Sequence, residues 1–422
     1  MTLRVVLGVT VATVALSHHA AAQAHAMPRV SPAGPYTSVA AAVAAARPHD
    51  TVTVEAGVYA EGTVTLDRPL TLLGREGAVL DGKGKSRLLL IVADSVTVQG
   101  LTFRDTGISF TEDRAAVKVD KARFCRIEAN RFDLTFFGVY LANSGDCLVK
   151  DNVFRTQAES ETRAGNGIHL WYSTRITILG NTIEGHRDGV YFEFVQDSRV
   201  EGNLSRGNLR YGLHFMFSDR CDYVGNTFER NGAGVAVMYT RNVLMEGNDF
   251  HENRGTTSFG LLLKDITDSR IVGNRFRDNS VGLHAEGVNR VTVEGNDFVS
   301  NGWAIKVLAN SDGSSFLGNN FVTNTFDVST NSRRAYSSFD GNYWDRYRGY
   351  DRDRDGIGDV PFRPVRLFSL IVAQNQPALV LQRSLLVGLL DLAEEVLPML
   401  TPDNLVDASP ALSRHPTVWG RR

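Results

Sequence analysis

Asn226-Thr-Phe228, Asn248-Asp-Phe250, Asn274-Arg-Phe276 and Asn296-Asp-Phe298 are copies of one phrase, and the stretch that holds them, Ala122 to Trp344, decides the fold. Earlier copies read Asn130-Arg-Phe132, Asn152-Val-Phe154, Asn181-Thr-Ile183 and Asn203-Leu-Ser205; Asn319-Asn-Phe321 and Asn342-Tyr-Trp344 continue the series. The steps between these asparagines are 22, 29, 22, 23, 22, 26, 22, 23 and 23 residues. Self-similarity at this period is the mark of a solenoid. A second phrase keeps time with the first: Gly138-Val-Tyr-Leu, Gly167-Ile-His-Leu, Gly189-Val-Tyr-Phe, Gly212-Leu-His-Phe, Gly234-Val-Ala-Val, Gly260-Leu-Leu-Leu and Gly282-Leu-His-Ala. The next Asn always lies 14 residues after that Gly, whereas the return from Asn to Gly is usually 8 or 9 residues but 15 before Gly167 and 12 before Gly260. The long insertions therefore leave from one arc of the coil.

Helical repeats fit this stretch poorly. Apolar residues alternate, as in Ile176-Thr-Ile178 and Val291-Thr-Val293, which is the period of strands. The segments are short and bounded by Gly, Asn and Asp, residues suited to turns with positive φ. The pattern predicts an all-β, right-handed parallel β-helix with coils of about 22 residues rising roughly 4.8 Å each. The recurrent Asn can bond its amide to the Asn above and below, and the Phe or Ile two residues on points inward and stacks likewise. Met245, three residues before Asn248, should face the core.

The chain ends read differently. Residues 1–26 have the apolar run and small-residue cut site of a secretory signal peptide. Residues 27–121 form an N-terminal cap, with a short Ala-rich helix over Tyr36 to Arg47, and the first coils; 122–345 are the regular repeats. A helix over the first coil would cover apolar core and unpaired strand edges. A formal net charge of −2 gives no electrostatic case for nucleic acid. Cys125, Cys147 and Cys221 each sit five residues before their Asn; an odd count at inward positions suits buried thiols better than a disulfide framework, although a Cys125–Cys147 bridge is compatible with stacking in adjacent coils.

Chemistry belongs on outward positions. In the Gly phrase, Gly+1 and Gly+3 face inward, so Gly+2 and Gly+4 face out. Gly+2 is Tyr140, His169, Tyr191, His214, Ala236, Leu262 and His284; Gly+4 is Ala142, Trp171, Glu193, Met216, Met238, Lys264 and Glu286. His214 and Met216 share one strand and one face about 7 Å apart, and Met238 lies beside Met216 one coil on. Imidazole with thioethers is a soft donor set suited to Cu(I). His169 and His284, two and three coils from His214, are roughly 10–14 Å away and would be separate, weaker copper sites. The competing reading is an apolar sheet face covered by the long inserts or by a partner, and residue pattern alone favours it. A polysaccharide lyase or epimerase on this scaffold would need clustered carboxylates, and this face offers only Glu193 and Glu286, roughly 19 Å apart.

Residues 346–364 form an acidic junction in which Asp351, Asp353, Asp355 and Asp359, with Gly356, resemble the first part of a calcium loop. An acidic turn paired with neighbouring arginines is the equal alternative. From 365 to 422 the repeat disappears and leucine takes over. Gln382 to Leu400 fits an amphipathic helix with Leu385, Leu386, Leu389, Leu392, Val396 and Leu400 as its apolar stripe. Such a tail either caps the last coil or docks on another protein; removing residues 365–422 is expected to leave the β-helix folded.

The opening phrase Asp50-Thr-Val-Thr-Val-Glu-Ala-Gly57-Val-Tyr59 resembles the start of pectin-lyase-like β-helix proteins. The signal peptide, the Asn-x-Phe coils, the junction Gly341-Asn-Tyr-Trp-Asp345…Asp355-Gly-Ile-Gly-Asp359-Val-Pro-Phe362 and the Leu-rich tail together resemble the NosD family. That resemblance implies a non-enzymatic periplasmic accessory protein of nitrous oxide reductase maturation. It implies attachment to the inner membrane through an ABC transporter ATPase and permease, and copper supply to the reductase with a copper chaperone as a further partner. It brings no ligand set. A secreted polysaccharide-active enzyme is the rival, and an adhesin or scaffold comes third.

Overall fold

The structure is a computed structural model that describes residues 27–109, 112–331, 337–397, 401, 405–417 and 419. The signal peptide expected over 1–26, and Leu400 of the tail stripe, lie outside the described residues. One coil shows how the chain winds. Thr177–Leu179 lies in sheet 1, Gly180-Asn181 turns the corner, Thr182–Glu184 lies in sheet 2, and after an arc Asp188–Glu193 lies in sheet 3. Successive coils add one strand to each sheet, giving stacks of 14, 13 and 12 strands. Neighbours pair in parallel and in the expected register, as in Thr177↔Arg199, Phe228↔Phe250 and Met216↔Met238. This is the parallel β-helix read from the repeats.

The core follows from the alternation. Phe250, Phe276 and Phe298 stack with ring centroids 4.7 and 4.8 Å apart and planes within 5°, while Phe228 lies 5.4 Å from Phe250. Met245 is 1% exposed. Cys125, Cys147 and Cys221 are buried free thiols, and the Cys125 backbone N–H donates to Cys147 Sγ at 3.4 Å.

The asparagines form the ladder the period implies. Asn203 donates its Nδ2 and backbone N–H to Asn226 Oδ1 at 3.0 and 2.9 Å. Asn226 repeats both bonds to Asn248 at 3.0 and 2.9 Å, and also donates Nδ2 to the Val200 carbonyl at 2.9 Å. Each buried amide is thus satisfied on both ends, which keeps polar groups from destabilising the interior. The run extends unbroken from Asn130 to Asn342. Gly180 sits just before Asn181 at φ 66°, a left-handed turn position that glycine adopts without a Cβ clash. A second ladder five residues on links Asn208, Asn231, Asn253, Asn279, Asn301 and Asn324. Its first rung is His186, whose backbone N–H donates to Asn208 Oδ1 at 3.0 Å; Asn324 donates to Asp327 at 3.4 Å at the far end.

Both ends of the stack are closed. Helix α1, Val39–Ala45, buries Val39, Ala42 and Val43 over the first coils, and Ser38 Oγ accepts from the Ala41 N–H at 3.1 Å. At the other end the tail divides. Helix α2, Leu367–Gln374, packs Phe368 and Val372 on Val281, Trp303 and Phe326 of sheet 3. Helix α3, Leu385–Val396, lies against α2, and its burial is the reverse of what amphipathicity would give. Arg366 pairs with Asp391 and lies 3.6 Å from Glu394, and the Leu367 N–H donates to Glu394 at 2.7 Å, so α3 turns acidic residues inward. Leu385, Leu386, Leu389, Leu392 and Val396 face solvent, each more than half exposed. The chain then returns: Leu405 and Asp407 are buried, and Asp407 Oδ2 accepts from Asn342 N–H, Asn342 Nδ2 and Trp344 Nε1 at 3.0, 2.9 and 3.0 Å. Residues 414–417 and Trp419 run back over sheet 2, with Arg414 and Thr417 on Asp297, His415 on Asn320, and Trp419 Nε1 on the Gly273 carbonyl. Capping and exposed apolar surface thus occupy different parts of one tail.

Candidate soft-donor face on sheet 3

The outward rows of sheet 3 stand as alternation placed them. Tyr140↔His169, His169↔Tyr191, Tyr191↔His214 and His214↔Ala236 pair along one row; Glu193↔Met216 and Met216↔Met238 pair along the next. His214 is only 3% exposed. Its ring lies 5.0 Å from Tyr191 and 4.8 Å from Tyr211, and neither ring nitrogen has a hydrogen-bond partner. Burial, followed by the charges of Arg210 and Arg187, pushes its pKa down to about 3. The imidazole is therefore neutral at any physiological pH, with a lone pair no proton competes for.

Met216 and Met238 are half-buried neighbours in the adjoining row. Tyr191 Oη reaches Met216 Sδ at 3.9 Å and Glu193 Oε2 at 3.3 Å. Three soft donors from two adjacent coils thus share one patch of a rigid sheet. Arg187 and Arg210 at its edge oppose any cation, and a divalent ion more than a monovalent one. Imidazole and thioethers are soft donors, a set that in general suits a soft monovalent ion better than a hard divalent one.

The other histidines lie in different settings. His169 packs between Tyr140 and Tyr191, and its Nδ1 meets Asn166 Nδ2 at 2.9 Å. Burial, helped by Arg187, lowers its pKa to about 3. His284 lies three coils on, against Phe259 and in the same row as Lys306. His186 is fully buried with both ring nitrogens unpaired, and burial brings its pKa to about 3. On sheet 2, His251 Nε2 is paired with Glu229 at 3.0 Å.

Glu193 and Glu286, the two carboxylates read from the repeats, are both engaged. Glu193 accepts from Tyr191, and Glu286 pairs with Lys264 at 3.3 Å. In the junction, oxygens of Asp351, Asp353 and Asp355 lie within 4.8 Å of one another. Asp351 accepts from the Gly356 and Arg354 N–H groups, Asp355 from Ile357, and Asp359 from Arg352. These carboxylates accept from backbone N–H groups of their own turn and, among the described residues, form no ion pair with Arg348, Arg352 or Arg354; calcium finds no support in these contacts. Asp353 is raised first by the charge of Asp355, as repelling exposed carboxylates are.

A feature the repeat did not announce borders the methionines. At Gly+5, where other coils carry Asn143, Asp265 and Gly287, four successive coils carry Tyr172, Phe194, Phe217 and Tyr239 at φ 46–55°. Their rings stack at 4.5, 5.2 and 5.2 Å. Bulky side chains are uncommon at positive φ, and Tyr172, Phe217 and Tyr239 are exposed. Their faces are used in stacking, so the comb presents ring edges to solvent.

A relative from Pseudomonas aeruginosa described as a probable ABC transporter binding protein NosD is 32% identical over 387 residues, spanning 87% of this chain and 89% of its own. The chain belongs to the NosD family. Residues 156–349 match the family model described as periplasmic copper-binding protein (NosD), and those residues contain His214, Met216 and Met238. The namesake from Stutzerimonas stutzeri matches at 34% over 137 residues, 32% of this chain and 31% of its own. Among solved structures, the Streptococcus pneumoniae adhesin PfbA superposes with TM-score 0.55 at 14% identity over 68% of this chain and 91% of its own. The Dettilon tailspike protein does so with TM-score 0.54 at 13% identity over 68% of this chain and 64% of its own. At such identities these likenesses show the β-helix and nothing more.

Proposed function

We propose that this protein is a periplasmic, non-enzymatic maturation factor that holds copper as cargo for assembly of nitrous oxide reductase. The observation that supports this reading is that His214, with both ring nitrogens unpaired, lies in the row beside the paired Met216 and Met238 on one face of sheet 3. Copper is passed, not used, so a shallow surface site with few donors serves better than an enclosed one. His214 supplies the nitrogen donor from beneath, and the two methionines hold the ion where a partner can reach it. The comb of Tyr172, Phe194, Phe217 and Tyr239 gives an apolar edge beside the site for a copper chaperone or the reductase to contact. His169 serves as a weaker second donor; His284, beside the Lys306 ammonium, is unsuited to a cation.

The family relative's name points to an ABC transporter as the membrane partner, and α3 offers the means. A helix whose leucines face water while its acids face inward is completed by another protein's apolar surface. Docking through this stripe would hold the protein at the inner membrane with the sheet 3 face free.

The test is Met216→Leu combined with Met238→Leu, which keeps bulk and removes both sulfurs. Competition against a Cu(I) chelator should show Cu(I) affinity falling about a hundredfold, with Zn(II) binding little changed. Unchanged Cu(I) affinity, or no binding by the wild type, would move the cargo to a partner and leave this face as a contact surface.

A further inference from the structure

Between sheet 3 and the tail lies a cleft of about 260 Å³, lined by His284, Trp303, Lys306, Ser329 and Asn331 below and by Val372 and Leu379 above. The floor is built by register. His284↔Lys306 and Lys306↔Ser329 are paired positions on successive strands, so their side chains form one row. The roof is α2 and the 3-10 turn Gln376–Leu381 that follows it.

The floor holds polar groups with nothing to bond. Lys306 Nζ lies 4.6 Å over the Trp303 ring, and no hydrogen bond or ion pair joins it to any described residue. Lys264, one row across, is paired with Glu286 at 3.3 Å, so counter-ions are supplied elsewhere on this sheet and withheld here. A ring face satisfies only part of an ammonium's demand for acceptors, and a charge withdrawn from water without a partner is costly. Burial lowers the Lys306 pKa accordingly. Ser329 is buried, and its hydroxyl bonds to no described residue. Asn331 uses its Oδ1 to accept from the Ala309 N–H at 2.7 Å, which leaves its NH₂ to donate. His284 Nδ1 is buried and unpaired. Among the described residues no carboxylate lines the cleft.

We infer that this cleft binds a small organic monoanion, its anionic head on Lys306, Ser329 and Asn331 and its apolar body between Trp303 and the Val372–Leu379 roof. The volume lies below the roughly 300–1,000 Å³ of sites for drug-sized ligands, which sets the size class. The head replaces the missing counter-ion, and the body displaces water from aromatic and aliphatic walls. Because floor and roof come from chain segments about 40 to 95 residues apart, the ligand also ties the tail helices to the sheet. This inference is independent of where copper sits.

Benzoate is a suitable probe, with benzamide as the neutral isostere and benzylamine as the cation, each titrated calorimetrically into the full mature chain. Benzoate should bind saturably in the millimolar range or tighter, and benzamide and benzylamine about tenfold or more weaker. Lys306→Met should weaken benzoate about tenfold while leaving the melting temperature intact or raised, since it removes an unpaired desolvated charge; Lys306→Arg should retain binding. No saturable benzoate binding to the wild type, equal binding of benzamide, or unchanged affinity in Lys306→Met would each overturn the assignment.

Discussion

Asp407→Ala probes how the solenoid is closed. In the folded chain one oxygen of this fully buried carboxylate accepts from Asn342 N–H, Asn342 Nδ2 and Trp344 Nε1 at 3.0, 2.9 and 3.0 Å. The other oxygen accepts from the Ser409 N–H at 3.2 Å. Asn342 is the last rung of a ladder in which each Asn requires an acceptor from the coil that follows it. Asp407 is the acceptor for the rung that has no following coil. Alanine leaves three buried donors unpaired, at about 1–3 kcal/mol each, so the expected loss is roughly 3–9 kcal/mol. Asp407→Asn keeps one oxygen in place for all three donors and gives up chiefly the Ser409 bond, so it should cost about 1–2 kcal/mol. In a solenoid each coil answers mainly to its neighbours, so the damage should be local to the end. Amide exchange at Asn319, Asn342 and Trp344 should quicken about a hundredfold or more while Asn203 and Asn226 are unmoved. Urea melts followed by tryptophan emission give the stability change. The reasoning fails if Asp407→Ala lies within about 1 kcal/mol of wild type, or if Asn is as damaging as Ala.

Leu386→Glu with Leu389→Glu on α3 should leave thermal stability unchanged, because both side chains already face water, yet abolish co-purification with the membrane transporter; retained capture would exclude the stripe as the dock. Asp327 is fully buried and its pKa is raised to about 6 by burial, so its stabilising, protonated state persists at low pH and is lost as pH rises through 6. Asp327→Asn should therefore gain about 3 kcal/mol at pH 7 relative to pH 4 in paired urea melts, and a flat difference would contradict it. His186→Asn should complete the second ladder and stabilise by about 1–2 kcal/mol. It should also shrink the loss of stability on acidification below pH 6.5, since the depressed imidazole contributes stability above its unfolded pKa and loses it as pH falls. Melts at pH 5 and 7.5 decide this, and a destabilised variant would mean that the ring is needed where it is.

The repeats made the fold legible because a coil's inward and outward positions are set by strand alternation, and a slip of one residue would have put Met245 in water and Met216 in the core. Both lie where alternation placed them. The second Asn ladder is equally periodic, but it borders the arc where coil lengths change, and no inward aromatic follows it to mark the turn. Of the site, the rows and the pairing of Met216 with Met238 were legible. The setting of His214 was not, because it depends on Tyr211 and Arg210 at the strand's start and on which ring nitrogens find partners, and neither carries a period. The tail was least legible. Asp407 meets Asn342 across 65 residues, a contact no local pattern encodes, so truncation at 365 now carries the expectation of a loosened last coil in place of an unaffected β-helix.

That division of the tail bears on how the protein could be held. Residues 405–417 and Trp419 are fastened by the ladder's end and by Asp297, Asn320 and Gly273, so they move only if the last coils open. Helix α2 is anchored by Phe368 and Val372 in an apolar cluster with Trp303 and Phe326. Helix α3 has little such anchorage: Val387 joins that cluster, and Arg366 holds Asp391 and Glu394. The partly exposed Arg366–Asp391 pair weakens with salt, and the buried Glu394, which also accepts from the Leu367 N–H, is the firmer hold. A partner that covers Leu385, Leu386, Leu389, Leu392 and Val396 gains apolar burial at about 25 cal/mol per Å², enough to swing α3 off its ion pairs while the cap stays shut. Attachment and closure are thus carried by segments that can respond separately. The cleft beneath α2 and its following turn lies between them, where an anion bound to Lys306 would resist that swing.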